Sequence, residues 1–126
     1  MLVKSAADLV QEARQSVQNL SPEELTRELT RPDVVLLDLR ESEELEKNGR
    51  IPGAVHAPRG MLEFYADPAT PYHKPEIANA KRIILHCASG GRSALAASTL
   101  RRMGYNDVAH LDGGFKAWKE AGKPLA

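Results

Sequence analysis

The stretch Ile83-Ile84-Leu85-His86-Cys87-Ala88-Ser89-Gly90-Gly91-Arg92-Ser93-Ala94-Leu95-Ala96-Ala97 decides the fold of this chain. Ile83 to Cys87 is a short apolar run, the pattern of a strand buried on both faces. The Gly90-Gly91 pair marks a tight turn, and Ser93 to Met103 reads as a helix ended by Gly104. A buried strand that passes through a glycine turn into a helix is the repeat from which parallel sheets are built.

Outward from this stretch the same alternation recurs. Val34 to Leu39, behind Arg31-Pro32-Asp33, predicts a second buried strand; Ile51 to His56 and Val108 to Leu111 predict two more. Ser42 to Lys47 reads as a helix stopped by Asn48-Gly49, and Phe115 to Ala121 as one stopped by Gly122 and Pro124. Ser21-Pro22-Glu23-Glu24 combines a hydroxyl N-cap, proline at the first helical position and glutamate at the third, with Leu20 and Leu25 placed as a hydrophobic staple. Ala6, Leu9, Val10, Ala13 and Val17 recur at spacings of three and four, which predicts an amphipathic helix over residues 5–18. Between Ala57 and Ala80, prolines 58, 68, 71 and 75 forbid any long regular element, leaving a structured loop with one helical turn over Met61 to Tyr65. The expected class is α/β, a mainly parallel sheet covered by helices on both sides. Residues 1–19 form an N-terminal helical segment packed on a single domain, 20–126.

The composition narrows the functions. A chain of 126 residues that is 42% apolar and 27% charged is about one soluble domain with one core. Seventeen basic residues balance seventeen acidic ones, which argues against a nucleic-acid or anionic-membrane partner. The N-terminus lacks the apolar run of roughly 7–15 residues of a secretory signal, and no stretch approaches the roughly 18 apolar residues of a membrane span. A cytoplasmic address is the default expectation. The single cysteine, Cys87, excludes an intrachain disulfide, a CxxC pair and a multi-cysteine zinc site. His56, His73 and His110 show no metal-ligand spacing, so neither a metal nor a cofactor is expected.

In parallel sheets, ligands bind at the carboxyl ends of strands, which directs attention to the loop from Cys87 to Ser93. Lone cysteines are mostly small buried hydrophobes. Here the strand-end position, the Gly-Gly turn and a nearby arginine reverse that prior. Small residues let the backbone N–H groups of Ala88, Ser89, Gly90, Gly91, Arg92 and Ser93 converge, and the helix adds its positive end. A helix N-terminus with a guanidinium beside it favours a nucleophilic thiolate. Residues 77–106 carry Lys81, Arg82, Arg92, Arg101 and Arg102 and no acid, a surround expected to favour anionic substrates. His86 adjoins the cysteine but points to the other face of the strand, so it is expected to be buried rather than a base. Asp38 and Arg40, at the end of the neighbouring strand, are candidate pocket residues or a structural ion pair. Arg59 is a candidate for the pocket mouth. Met61, Phe64 and Tyr65 are equally candidates for a pocket wall or for packing, and Phe115 and Trp118 read as core. The acids at 41, 43, 44 and 46 need no functional reading at a helix N-terminus.

Four motifs then occur in order: Asp38-Leu39-Arg40 after a buried strand; Gly49-Arg50-Ile51-Pro52-Gly53-Ala54 with Pro58 downstream; the cysteine loop; and Leu111-Asp112-Gly113-Gly114-Phe115-Lys116-Ala117-Trp118 with Ala121-Gly122-Lys123-Pro124. Over about residues 20–126 the chain resembles the single-domain rhodaneses, departing at Arg50, where that family commonly has histidine. The resemblance implies a five-stranded, mostly parallel sheet and a sulfurtransferase. Cys87 would attack the sulfane sulfur of thiosulfate or a similar small anionic donor, release sulfite and hold a persulfide for a thiol, protein or cyanide acceptor. Loop N–H groups from Ala88 to Ser93 would stabilise the persulfide, Arg92 would hold the donor's oxygens, and the Ser89 hydroxyl would add a donor. With no second thiol in the chain, the persulfide must be discharged to an external acceptor. A persulfide carrier loaded by a protein partner is the alternative within this family. A cysteine phosphatase is the rival from outside it, but that class places five residues between cysteine and arginine where this chain has four, Ala88 to Gly91. The first helix is expected either to cap the domain or to supply a homodimer contact.

Overall fold

A computed structural model describes residues 2–126. Along the chain run α1 (Ala6–Ser16), β1 (Gln18–Leu20), α2 (Pro22–Glu28), β2 (Val34–Asp38), α3 (Ser42–Asn48), β3 (Val55–His56), a 3-10 turn (Arg59–Met61), α4 (Leu62–Ala66), α5 (Pro75–Asn79), β4 (Arg82–His86), α6 (Gly91–Arg102), β5 (Val108–Leu111) and α7 (Gly114–Glu120). The five strands form one sheet in the order β1-β5-β4-β2-β3, and every pairing is parallel.

Alternation along the strands divides the core in two. Leu37, Leu39, Ile83, Leu85, Cys87 and Val108 face Leu62, Ile77, Ala96, Ala97 and Leu100 of α4, α5 and α6. Leu36, Ile84, Ala109 and Leu111 face Leu25 of α2 and Phe115 and Trp118 of α7. Each fully buried leucine or isoleucine in these layers contributes about 1.5–3 kcal/mol of burial free energy. β4 lies at the centre of the sheet, between β5 and β2, and is buried along all five residues. The α2 start is as the sequence dictates: Ser21 accepts from the Glu24 N–H while Glu24 accepts from the Ser21 N–H.

Three parts of the sequence reading are corrected, one being the strand expected over Ile51 to His56, which pairs only at Val55–His56 because Pro52-Gly53 forms a turn. The first helix stops at Ser16 rather than continuing to 18, and Gln18–Leu20 is an edge strand paired with β5. Asn19 stabilises this exit, donating from Nδ2 to the carbonyls of Arg14 (3.0 Å) and Val17 (3.2 Å). Val17 enters the same core layer from extended backbone, which is why it fits the helical stripe by spacing. The expected division at residues 19 and 20 therefore falls inside a strand of the sheet. The loop over 57–80 also holds a second short helix, α5, with Pro75 at its first position, where a missing N–H costs nothing. Among the described residues, no helix is long and apolar enough to cross a membrane.

Candidate active site

Cys87 directly follows β4, and the chain turns at Gly90 into α6. The Gly90 backbone has φ +106°, a left-handed conformation that L side chains rarely adopt, and a Cβ there would sit 3.2 Å from the Gly113 nitrogen. This turn aims two backbone N–H groups at the thiol: Gly90 N lies 3.2 Å and Ser93 N 3.4 Å from Cys87 Sγ. Cys87 is 1% exposed. Ser93 is fully buried beside it, with Oγ 3.6 Å from Sγ. Of the loop groups predicted to converge, Gly90 and Ser93 reach the sulfur. The Ser89 side chain is exposed and makes no hydrogen bond to it.

The β5–α7 connection buttresses this loop from outside. Phe115 N donates to the Cys87 carbonyl (2.8 Å) and Lys116 N to the Ala88 carbonyl (3.0 Å). Gly114, at φ +63°, makes that approach feasible: a Cβ would lie 2.6 Å from the Ala88 carbonyl and 2.7 Å from the Cys87 oxygen. The Gly113-Gly114 pair is thus a contact surface for the Cys87–Ala88 backbone.

Arg92 does not stand free. It makes a bidentate pair with Glu44 of α3, Nη1 to Oε2 at 2.9 Å and Nη2 to Oε1 at 2.8 Å. The Arg92 hydrogen bonds pull the Glu44 carboxyl down to about 2, and the carboxylate in turn raises the guanidinium above its ordinary value. Two of the five positive charges in the acid-free stretch around the loop are therefore paired in the fold. Glu44 closes on Arg92, while Glu28 and Asp107 close on the buried Arg82. In the sequence Glu44 is only a helix N-terminal acid; its partner lies 48 residues away, and no local spacing announces it. A cleft of about 210 Å³ opens beside this pair, with Glu44, Ala88, Lys116 and Lys119 on its walls.

Comparison with known proteins places this geometry. Residues 21–121 match the family described as Rhodanese-like domain. A protein of Allochromatium vinosum named "Sulfurtransferase" is 32% identical over 110 residues, covering 86% of this chain and 94% of that one. The chain belongs to the rhodanese-like family of sulfurtransferases. Two solved structures resemble this rhodanese-like domain over most of its length. A Rhodopseudomonas palustris protein of unknown function, described as "Possible Tyrosine Phosphatase", has TM-score 0.93 and 40% identity over 100% of this chain and 97% of that one. The polysulfide-sulfur transferase homodimer of Wolinella succinogenes has TM-score 0.71 and 29% identity, covering 93% and 83%. Other curated relatives are longer, and this chain spans 64% of one and 40% of another.

The remaining candidates separate once placed on the rhodanese-like fold. Asp38 and Arg40 are each 1% exposed and lie on the α7 side of the sheet, and Arg40 also borders the cleft beside Glu44 and Ala88. Asp38 accepts from Arg40 Nε (3.0 Å), Nη2 (2.8 Å) and backbone N (3.1 Å), and His86 Nε2 lies 3.4 Å from Oδ2. Burial pushes the Asp38 carboxyl up, but His86 and Arg40 outweigh it and hold the group below the ordinary carboxylate range. Arg40 also donates to the Gly49 carbonyl (2.9 Å) and lies 4.2 Å from the centre of the Phe115 ring. This pair braces the strand ends and α7 from inside. Arg59 is not brought to the loop. It bonds Glu63 (2.8 Å) and approaches Thr99 (3.4 Å), eight residues past Gly91 and so roughly 12 Å further along α6. Tyr65 packs on the core layer that includes Cys87, and Phe64 pairs edge-on with Tyr72 at the surface. No cluster of three or more His, Cys, Asp or Glu suited to a metal occurs among the described residues.

Proposed function

We propose that the chain transfers a sulfane sulfur from thiosulfate or a similar small anionic donor to a thiol through a persulfide on Cys87. The observation that carries this reading is the pair of backbone N–H groups, Gly90 and Ser93, aimed at a single sulfur at the start of a twelve-residue helix. In the first step the Cys87 thiolate attacks the outer sulfur of thiosulfate; the new S–S bond forms as the donor's S–S bond breaks, and its electron pair leaves with sulfite. The negative charge then rests on the outer sulfur of the persulfide, where loop N–H groups and the helix end stabilise it. In the second step an acceptor thiolate attacks that outer sulfur and Cys87 leaves as thiolate. Two half-reactions through a covalent intermediate give ping-pong kinetics. Glu44 presents Arg92 at the loop with a partner the donor's oxygens must share.

Intact-mass measurement after incubation with thiosulfate tests the proposal. The expected result is a gain of one sulfur atom that disappears on adding cyanide and never forms in Cys87→Ser. No adduct from thiosulfate, together with loading from a persulfidated protein, would instead establish the carrier reading. Turnover of an aryl phosphate without sulfur loading would replace both with the phosphatase reading.

A further inference from the structure

Beneath the nucleophile runs a line of polar side chains that sulfur transfer as described does not use. Ser93 Oγ lies 3.6 Å from Cys87 Sγ and 2.9 Å from Nδ1 of His110, and His110 Nε2 lies 2.6 Å from Oδ1 of Asn19. Ser93 and His110 are fully buried. The line starts at β1 and ends at the sulfur, crossing β5 and the first turn of α6.

The direction of each proton follows by elimination. Asn19 spends both donors of its Nδ2 on the Arg14 and Val17 carbonyls, so the atom facing His110 is the acceptor Oδ1. Nε2 of His110 therefore carries a proton and donates it. Burial keeps the ring neutral: it lowers His110 to about 4, with the charges of Asp112 and Arg14 acting in opposite senses. Nδ1 is left as a bare acceptor, and the one hydroxyl proton within reach is that of Ser93. The Gly90 carbonyl, at 3.3 Å, is the more distant acceptor for that proton, and serving it would strand a buried ring nitrogen. Ser93 thus points its proton away from Cys87 and its lone pairs toward it.

We propose that His110, locked by Asn19, is a positioning residue that withholds the Ser93 hydroxyl proton from Cys87. The ionised sulfur is then held by the backbone N–H groups of Gly90 and Ser93, with the Arg92 charge nearby, and not by the Ser93 hydroxyl. A thiolate with fewer donors is less stabilised and keeps a more reactive electron pair. Once a sulfur is loaded, the charge has moved to the outer atom and Sγ needs no third donor. The benefit to sulfur transfer rests on the function proposed above; the proton arrangement itself does not. The charged and titratable groups bordering the line are Arg92 with its partner Glu44, and the Arg14–Asp112 pair beside His110; His86 and Asp38 lie across the sheet.

The test titrates Cys87 by ultraviolet thiolate absorbance and by the pH dependence of iodoacetamide alkylation, neither of which needs a sulfur donor. His110→Phe removes the acceptor and turns the hydroxyl proton to the sulfur. The thiolate fraction at a fixed pH on the rising part of the curve should increase about three- to tenfold, the worth of one hydrogen bond, while the limiting alkylation rate falls. His110→Asn, whose Oδ1 replaces Nδ1, should titrate like the wild type. Asn19→Leu frees the His110 tautomer and should shift the curve in the same direction as His110→Phe, a second route should that variant not fold. In a Ser93→Ala background neither change should move the curve further. A His110→Phe or Asn19→Leu titration that overlays the wild type, or a shift that persists without Ser93, overturns the proposal. A wild-type protein that never takes sulfur would refute the proposed function and leave this titration result standing.

Discussion

Replacing Gly114 by alanine tests whether the β5–α7 turn holds Cys87 and its loop in place. The added Cβ would lie 2.6 Å from the Ala88 carbonyl, which must retreat by about 0.8 Å to reach ordinary contact at 3.4 Å. The carbonyls it would strike are those bonded by Phe115 N and Lys116 N, so the retreat strains both bonds. An L residue in the left-handed region costs about 1–2 kcal/mol, and overpacking against backbone adds about 1–3 kcal/mol. The expected destabilisation is therefore about 2–5 kcal/mol, a large part of the roughly 5–15 kcal/mol that holds a domain together. Gly122 supplies the control: its φ is +73°, but nothing lies within 4 Å of its hypothetical Cβ. Gly122→Ala should lose only the backbone part, about 1–2 kcal/mol, and keep full activity. Urea unfolding with an unchanged slope measures the difference between the two variants. Sulfur transfer from thiosulfate measures the effect on the loop, where moving the Cys87–Ala88 backbone by nearly an ångström relative to the Gly90 and Ser93 N–H groups should cost on the order of 100-fold. If Gly114→Ala matches Gly122→Ala in both stability and rate, the reasoning is wrong and the close approach carries no load.

The Arg92–Glu44 pair gives two opposed expectations. Arg92→Ala should lower kcat/KM for thiosulfate by about 10- to 150-fold, the equivalent of a charge-assisted hydrogen bond of about 1.5–3 kcal/mol, whereas Glu44→Gln should lower KM, more so at low salt. Steady-state kinetics at two ionic strengths decides, and an Arg92→Ala enzyme with unchanged kcat/KM removes Arg92 from donor binding. Glu44 also makes an acid-stability prediction. Its folded pKa, about 2, lies below the reference 4.5, so its contribution is complete above pH 4.5 and is lost as pH falls toward 2; Glu44→Gln should flatten the unfolding curve across that window. His110 acts one window higher. Lowered from 6.5 to about 4, it stays neutral in the fold while the unfolded chain takes a proton, so stability should fall as pH drops from 6.5 to 4, and His110→Asn should abolish that slope in denaturant titrations.

Much of the fold and the centre of the site could be read from residues in line. The strand over Ile83 to Cys87 and the capping box at Ser21 depend on neighbours within a few positions, and a local signal suffices for them. The opposition of Cys87 and His86 followed likewise from strand geometry: one joins the α6-side layer and the other lies against Asp38 and Phe115. β1 escaped because three residues are too few to show a period, and its place is fixed by pairing with β5, 91 residues away at Asn19 and His110. Arg59 was drawn toward the pocket by its position after Pro58, but the 3-10 turn carries it to Glu63 and Thr99 instead.

The sequence by itself determined the strand-end cysteine, the glycine turn that points N–H groups at it, and the parallel α/β layering, because each is written in a contiguous run. The tertiary structure alone decided which charges and hydrogen-bonding groups surround that cysteine. Arg92 is paired with a glutamate from another helix, Gly114 presses on a loop 26 residues earlier, and Ser93 bonds a histidine that an asparagine on an edge strand holds. Charge pairing and hydrogen-bond direction depend on distance in space, and no spacing along the chain encodes which distant partner arrives.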